Sequence, residues 1–176
     1  MDADLAPEWK HLVARAREAV RTGSRAPSGY QPVMQVVVLP SFDVWSRYEL
    51  FASRSGPSQG FVAAHSMCDL NEEIKKFESP TERARHPGEI LPSVIRKTAA
   101  ADPDAARSLL DSIAGIQIPP IPTNAHFGLD GTTVEVTFGA LFTELRFRWW
   151  RTPPDGWEVI GHIADELVGL VLRAAG

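Results

Sequence analysis

Apolar residues recur at helical spacing near the start of the chain, with Trp9, Leu12, Val13, Ala16 and Val20 on one face. Pro7 suits a first helical turn and Gly23 a stop, so the pattern predicts a helix over residues 7–22. The turn-rich stretch 24–32 reads as a loop. Residues 33–39 are a short, β-branched apolar run closed by Pro40, and predict a buried strand. Residues 47–53 alternate, with Tyr48, Leu50 and Ala52 opposite Glu49, Phe51 and Ser53, and predict a second strand. A third is expected over 61–65. Asp69 to Glu72 has the form of a capping box ahead of Leu70, Ile74 and Phe77, which predicts a helix over 70–78. Ser79-Pro80-Thr81-Glu82 repeats that signature and predicts a short helical turn over 80–87, broken by Pro87-Gly88. Residues 93–98 read as a strand, Asp102-Pro103 opens a helix, and 118–124 is an extended connection.

The last fifty residues carry the firmest local pattern. Asp130-Gly131 and Gly139-Ala140 are tight-turn dipeptides between alternating runs. They predict a three-strand meander over 125–129, 132–138 and 141–150. Pro153 to Gly156 ends the sheet, and Ile160, Ile163, Leu167, Leu170 and Val171 then form a helical stripe. The expected fold is a single α+β domain over residues 1–176: a mostly antiparallel sheet of five or six strands, with the first and last helices packed on one core face.

Two-residue turns would fix cross-strand partners. They place Phe127, Val134, Val136, Phe138, Leu141, Leu145, Phe147 and Trp149 on the core face. The opposite face then carries His126, Glu135 and Glu144 in one row, with Thr133 opposite Arg146 and Thr137 opposite Phe142. Two opposed carboxylates repel, and Arg146, diagonal to Glu135, or a protonated His126 would compensate. Such a trio could ligate a divalent metal or place a general base beside a second carboxylate. The plain alternative is a solvated sheet face studded with charge. On the same face, Trp150 would stand beside Arg146 and Arg148. Trp and Arg anchor protein interfaces, so these three are the candidate binding residues. The alternative is that Trp150 packs beneath the Pro153-Pro154 loop or the first helix.

Composition narrows the classes. The chain has 176 residues, 44% hydrophobic and 23% charged, as in an ordinary soluble domain. A net charge of −4 argues against nucleic acid or an anionic membrane as partner, leaving only the local arginines as a basic patch. A single cysteine, Cys68, permits no intrachain disulfide and suits a reducing compartment. The acidic start has no apolar signal core, and Val36 to Leu39 is too short to span a bilayer, so a cytoplasmic protein is expected. Only four of 18 basic residues are lysine, and this arginine and alanine bias suggests a GC-rich bacterial genome. His65 lies three residues before Cys68, but a catalytic pair needs contact in space, and a lone cysteine is usually a small buried hydrophobe. No nucleophile elbow, phosphate loop, dinucleotide fingerprint or H-E-x-x-H motif occurs.

The run Leu129-Asp130-Gly131-Thr132-Thr133, then Arg146-Phe147-Arg148-Trp149-Trp150, then Pro153-Pro154-x-Gly156-Trp157, resembles a pattern in small bacterial proteins without an assigned activity. Lys76-Phe77-x-Ser79-Pro80-x-Glu82-Arg83 is similar to part of the same layout. The resemblance covers the second half of the chain, implies an α+β domain and brings no catalytic residues with it. By size and mild acidity the chain also resembles bacterial immunity proteins, which block toxins. The expected function is therefore a non-enzymatic cytosolic protein-binding protein of immunity or accessory type, using Arg146, Arg148 and Trp150. Its expected partner is another protein, with no cofactor, metal, nucleic acid or membrane, and its oligomeric state stays open. The alternative is a small hydrolase or metal-dependent enzyme built on His126, Glu135 and Glu144.

Overall fold

A computed structural model describes residues 7–22, 25–41, 43–56, 60–79, 81, 92–119, 131–139 and 143–176. Most of the helical turn expected over 80–87 and all of the strand expected over 125–129, with His126 and Phe127, lie outside these residues. So do Asp130, Ala140, Leu141 and Phe142.

The described elements follow in the order α1 (Pro7–Thr22), β1 (Tyr30–Pro40), β2 (Val44–Ser53), β3 (Phe61–Asp69), α2 (Leu70–Glu78), β4 (Ile95–Ala101), α3 (Pro103–Ile113), β5 (Thr132–Phe138), β6 (Leu145–Trp150) and α4 (Glu158–Ala175). The six strands form one sheet in the order β4-β3-β2-β1-β5-β6, and every neighbouring pair is antiparallel. Thus β1 to β4 pair in succession, and β5 returns to the free side of β1. The α+β architecture is the one expected. Two of the three helical starts signalled by N-terminal caps, those of α2 and α3, begin where the sequence places them. The Asp69 carboxylate accepts from the N–H of Asn71 and Glu72 at 2.9 and 3.2 Å, and Asp102 from Asp104 and Ala105 at 2.9 and 3.0 Å. No helix among the described residues is long and apolar enough to cross a membrane.

Strand alternation divides the side chains between two layers. Met34, Val36, Leu50, Phe61, Val136, Phe138 and Trp149 meet Ile160, Ile163, Leu167, Leu170 and Val171 of α4, with Ala106 and Leu109 of α3. Trp157 pins the start of α4 to this layer, its ring edge-on to Phe147 at 5.2 Å and its indole N–H donating to the Pro119 carbonyl at 3.1 Å. Contrary to the expectation that the first and last helices share one face, α1 does not join α4 there. Leu12, Ala16 and Val20 pack instead on Val37, Leu39, Trp45 and Cys68, which point the other way. The reason is visible in β1: a strand with four consecutive apolar residues, Val36 to Leu39, needs cover on both sides.

The β5–β6 connection also differs from expectation. β5 occupies residues 132–138 as expected, but β6 starts at Leu145, so six residues replace the two-residue turn. Gly139 adopts φ +85° and donates its N–H to the Val33 carbonyl of β1 at 2.9 Å, continuing the β1 ladder rather than turning toward β6. Thr143 sits over Gly139, where an added Cβ would lie 2.2 Å from the Thr143 carbonyl oxygen. Gly139→Ala should therefore destabilise the protein by about 1–3 kcal/mol, combining positive-φ strain with a backbone clash. Gly29→Ala, at φ +81° with nothing near the added carbon, should cost about 1 kcal/mol. Urea unfolding of the two variants measures the difference, and equal losses would contradict the close approach at Gly139.

Candidate functional site

The longer connection shifts the pairing of β6 by four residues. Glu135 lies opposite Arg148, not Glu144, while Thr137 faces Arg146 and Thr133 faces Trp150. An even shift preserves which face each side chain occupies, so Val134, Val136, Phe147 and Trp149 keep the core side. It dissolves the expected His126–Glu135–Glu144 row. Glu144 sits in the connection and pairs with Arg146 at 2.6 Å, and His126 is outside the described residues.

What replaces that row is a lattice of arginine and glutamate on the α1 side of the sheet. Strand pairing sets Arg96, Ser66, Arg47, Val37, Glu135 and Arg148 side by side across all six strands. The next row of that face runs Thr98, Ala64, Glu49, Gln35, Thr137 and Arg146. Glu49, only 1% exposed, is bound by Arg47 at 2.7 Å and approached by Arg96 at 3.6 Å. Glu135, 6% exposed, is bound by Arg21 from the last turn of α1 and approached by Arg148 at 3.4 Å. Each glutamate thus lies between two guanidiniums. Arg47 also donates to the Arg21 carbonyl, which closes the C-terminal end of α1 and links the two triads. Gln35 donates to Thr137 at 3.1 Å between them.

Helix α1 covers only part of this face. Past its end lies an open cleft of ≈ 430 Å³, lined among others by Glu18, Arg21, Gln35, Arg47, Glu135 and Arg146. It adjoins a smaller one of ≈ 210 Å³ that reaches Glu49, Phe51, Thr137 and Glu144, with Thr22, Gln35 and Arg47 common to both. Arg146 and Arg148 stand at the β6 edge with side chains 60% and 58% exposed. Trp150, on the same face, is half-buried. Its indole lies where a Cβ on Gly131 would come within 2.9 Å, so it packs against the start of β5.

The three expected binding residues therefore do share one face and one edge. Arg21, Arg47, Glu49 and Arg96 were not foreseen. The alternation of β2 places Arg47 and Glu49 together on its non-core side, which was a usable signal; Arg21 and Arg96 reach the cluster only through tertiary packing. Among the described residues, no three His, Cys, Asp or Glu side chains gather as a metal site. No family model, curated protein or solved structure matches the chain.

Cys68 and His65 point to opposite faces of β3, as an odd spacing requires. Cys68 is buried beneath α1, and burial first, then the nearby Glu73 carboxylate, pushes its thiol up to about 11. His65 is stacked on Tyr48 at 4.6 Å and lies 3.4 Å from the Ser46 hydroxyl. Burial, and secondarily the Lys97 ammonium, holds its imidazole below the ordinary value of 6.5. The unfolded chain then binds the proton more tightly, so this contribution to stability is complete above about pH 6.5 and declines as pH falls below it. Denaturant unfolding at pH 7.5 and 5.5 should show a loss in the parent chain that is smaller in His65→Gln.

The triads make a separate prediction. Glu49→Gln leaves a buried arginine without its counter-charge and should cost about 3–5 kcal/mol. Glu135→Gln, whose arginines reach solvent, should cost about 1–2 kcal/mol. A reversed order in urea unfolding would contradict the depth assigned to the two carboxylates.

Proposed function

We propose that the chain is a non-enzymatic protein-binding protein that meets its partner across the β6 edge and the adjoining charged cleft. The observation that carries this reading is the exposed pair Arg146 and Arg148, standing with Trp150 on one face of an edge strand and bordering an open cleft. Arginine and tryptophan offer much contact area and several hydrogen bonds at little conformational cost, which is why they anchor interfaces. Among the described residues β6 is an edge strand, and an edge offers backbone groups for a partner to engage. The carboxylates of this face, Glu49, Glu135 and Glu144, are each held by arginine. A paired carboxylate is arranged for recognition, whereas general-base work needs one free to take a proton from a substrate. A hydrolytic or metal-dependent reading needs Glu135 and Glu144 to converge with His126, and the register separates the first two.

A cytoplasmic accessory role, such as that of an immunity protein occluding a toxin, fits a small rigid domain with one charged face. Affinity capture from the native cell with the parent chain and with the Arg148→Ala, Trp150→Ala double variant tests the reading. A stoichiometric partner retained by the parent and lost by a folded double variant is expected. Capture that is indifferent to the substitutions would move the interface elsewhere and overturn it.

A further inference from the structure

The charge of the cleft differs in sign from that of the chain. The larger cleft is lined by three arginines, Arg21, Arg47 and Arg146, against two glutamates, Glu18 and Glu135. That lining has one more positive than negative group, in a protein of net charge −4. The hydrogen-bond balance leans the same way. Arg47 is 94% buried, since only 6% of it is exposed, and it uses Nη1 for the Arg21 carbonyl and Nη2 for Glu49. Nε of Arg21 and of Arg47, both cleft-lining residues, has no hydrogen-bond partner among the described residues, while the likewise unpartnered Glu49 Oε2 faces Arg96 Nη2 at 3.6 Å. A guanidinium with a donor still unmatched favours an added anionic acceptor, and its planar fork matches a carboxylate.

We propose that this cleft recognises carboxylate groups, presented by an acidic segment of the partner protein, and that Glu144 occupies Arg146 until the partner arrives. The inference rests on the protein-binding reading above. Glu144 is suited to be displaced. It lies in the β5–β6 connection, its side chain is 37% exposed, and the structure gives it Arg146 as ion-pair partner at 2.6 Å. Glu49 and Glu135, by contrast, are locked in the triads and hold Arg47 and Arg21 in place at the cleft wall. An incoming carboxylate thus exchanges one exposed ion pair for another, with the deeper arginines adding a field that the cleft screens little.

The assignment makes two substitutions act in opposite directions. Both residues are exposed, so neither change threatens folding. With a hexaglutamate peptide as probe in calorimetric titration, Glu144→Gln should tighten binding and Arg146→Gln should weaken it, each by roughly threefold to tenfold. Added salt should weaken binding, and a hexalysine peptide should not bind. Guanidinium NMR signals of Arg21 and Arg47 should shift on addition of hexaglutamate, a readout independent of either substitution. Citrate serves as the free small acid. Citrate binding as tightly as the peptide, with the same response to both variants, would keep the carboxylate chemistry and overturn the peptide source. Hexaglutamate binding that does not respond to either variant, or no binding, would overturn the inference. If affinity capture still depends on Arg148 and Trp150 in that case, the protein-binding reading survives. Carboxylate recognition without any captured partner would separate the two the other way.

Discussion

The structure depends on the burial of β1 from both sides. It is paired with β2 and β5, and its consecutive valines face opposite layers: Val36 toward α4, Val37 toward α1. A strand in that position allows no slip, because moving it by one residue would exchange its two sets of neighbours. Burial of such side chains contributes about 1.5–3 kcal/mol each, and β1 supplies Met34, Val36, Val37 and Leu39. The two flanking hairpins inherit their positions from it.

The two layers are not equal. The α4 side is mainly apolar from β6 to β3, interrupted by buried Ser46 and His65, whereas on the α1 side a continuous apolar cluster forms where the helix lies over Val37, Leu39, Trp45 and Cys68. Beyond that cluster the face mixes buried charge with Phe51 and Ala64. Desolvating an arginine–glutamate pair consumes most of its Coulomb gain, and apolar residues of similar volume would stabilise the fold as well or better. Stability alone is then a weak reason for two linked triads at the end of α1. Their more specific consequence is geometric: they hold guanidiniums at fixed positions along an open cleft whose edge carries Arg146, Arg148 and Trp150.

Local features were legible where a few adjacent residues carry the whole cause. Asp69 and Asp102 cap helices with their own side chains. Alternation in 132–138 and the stripe on α4 depend on spacing alone. The site was legible in part, since parity along β6 puts Arg146, Arg148 and Trp150 on one face whatever the register. Their partners were not legible. Gly139-Ala140 has the composition of a two-residue turn, and only the bond from Gly139 to Val33 and the approach of Thr143 lengthen it. That change replaced a repelling Glu135–Glu144 pair by an attracting Glu135–Arg148 pair.

The sequence by itself determined the element types, the caps, the two-faced character of β1 and the side of the sheet on which each β5 and β6 residue lies. These follow from dihedral preference, hydrogen bonding over a few residues and the two-residue period of a strand. Tertiary structure decided which face α1 covers, how far β6 slides along β5, and that Arg21 and Arg96 reach Glu135 and Glu49 from distant segments. Those outcomes are set by contacts between separate segments, such as Val20 with Val37, Arg96 with Glu49 and Arg21 with Glu135, and no local pattern along the chain encodes them.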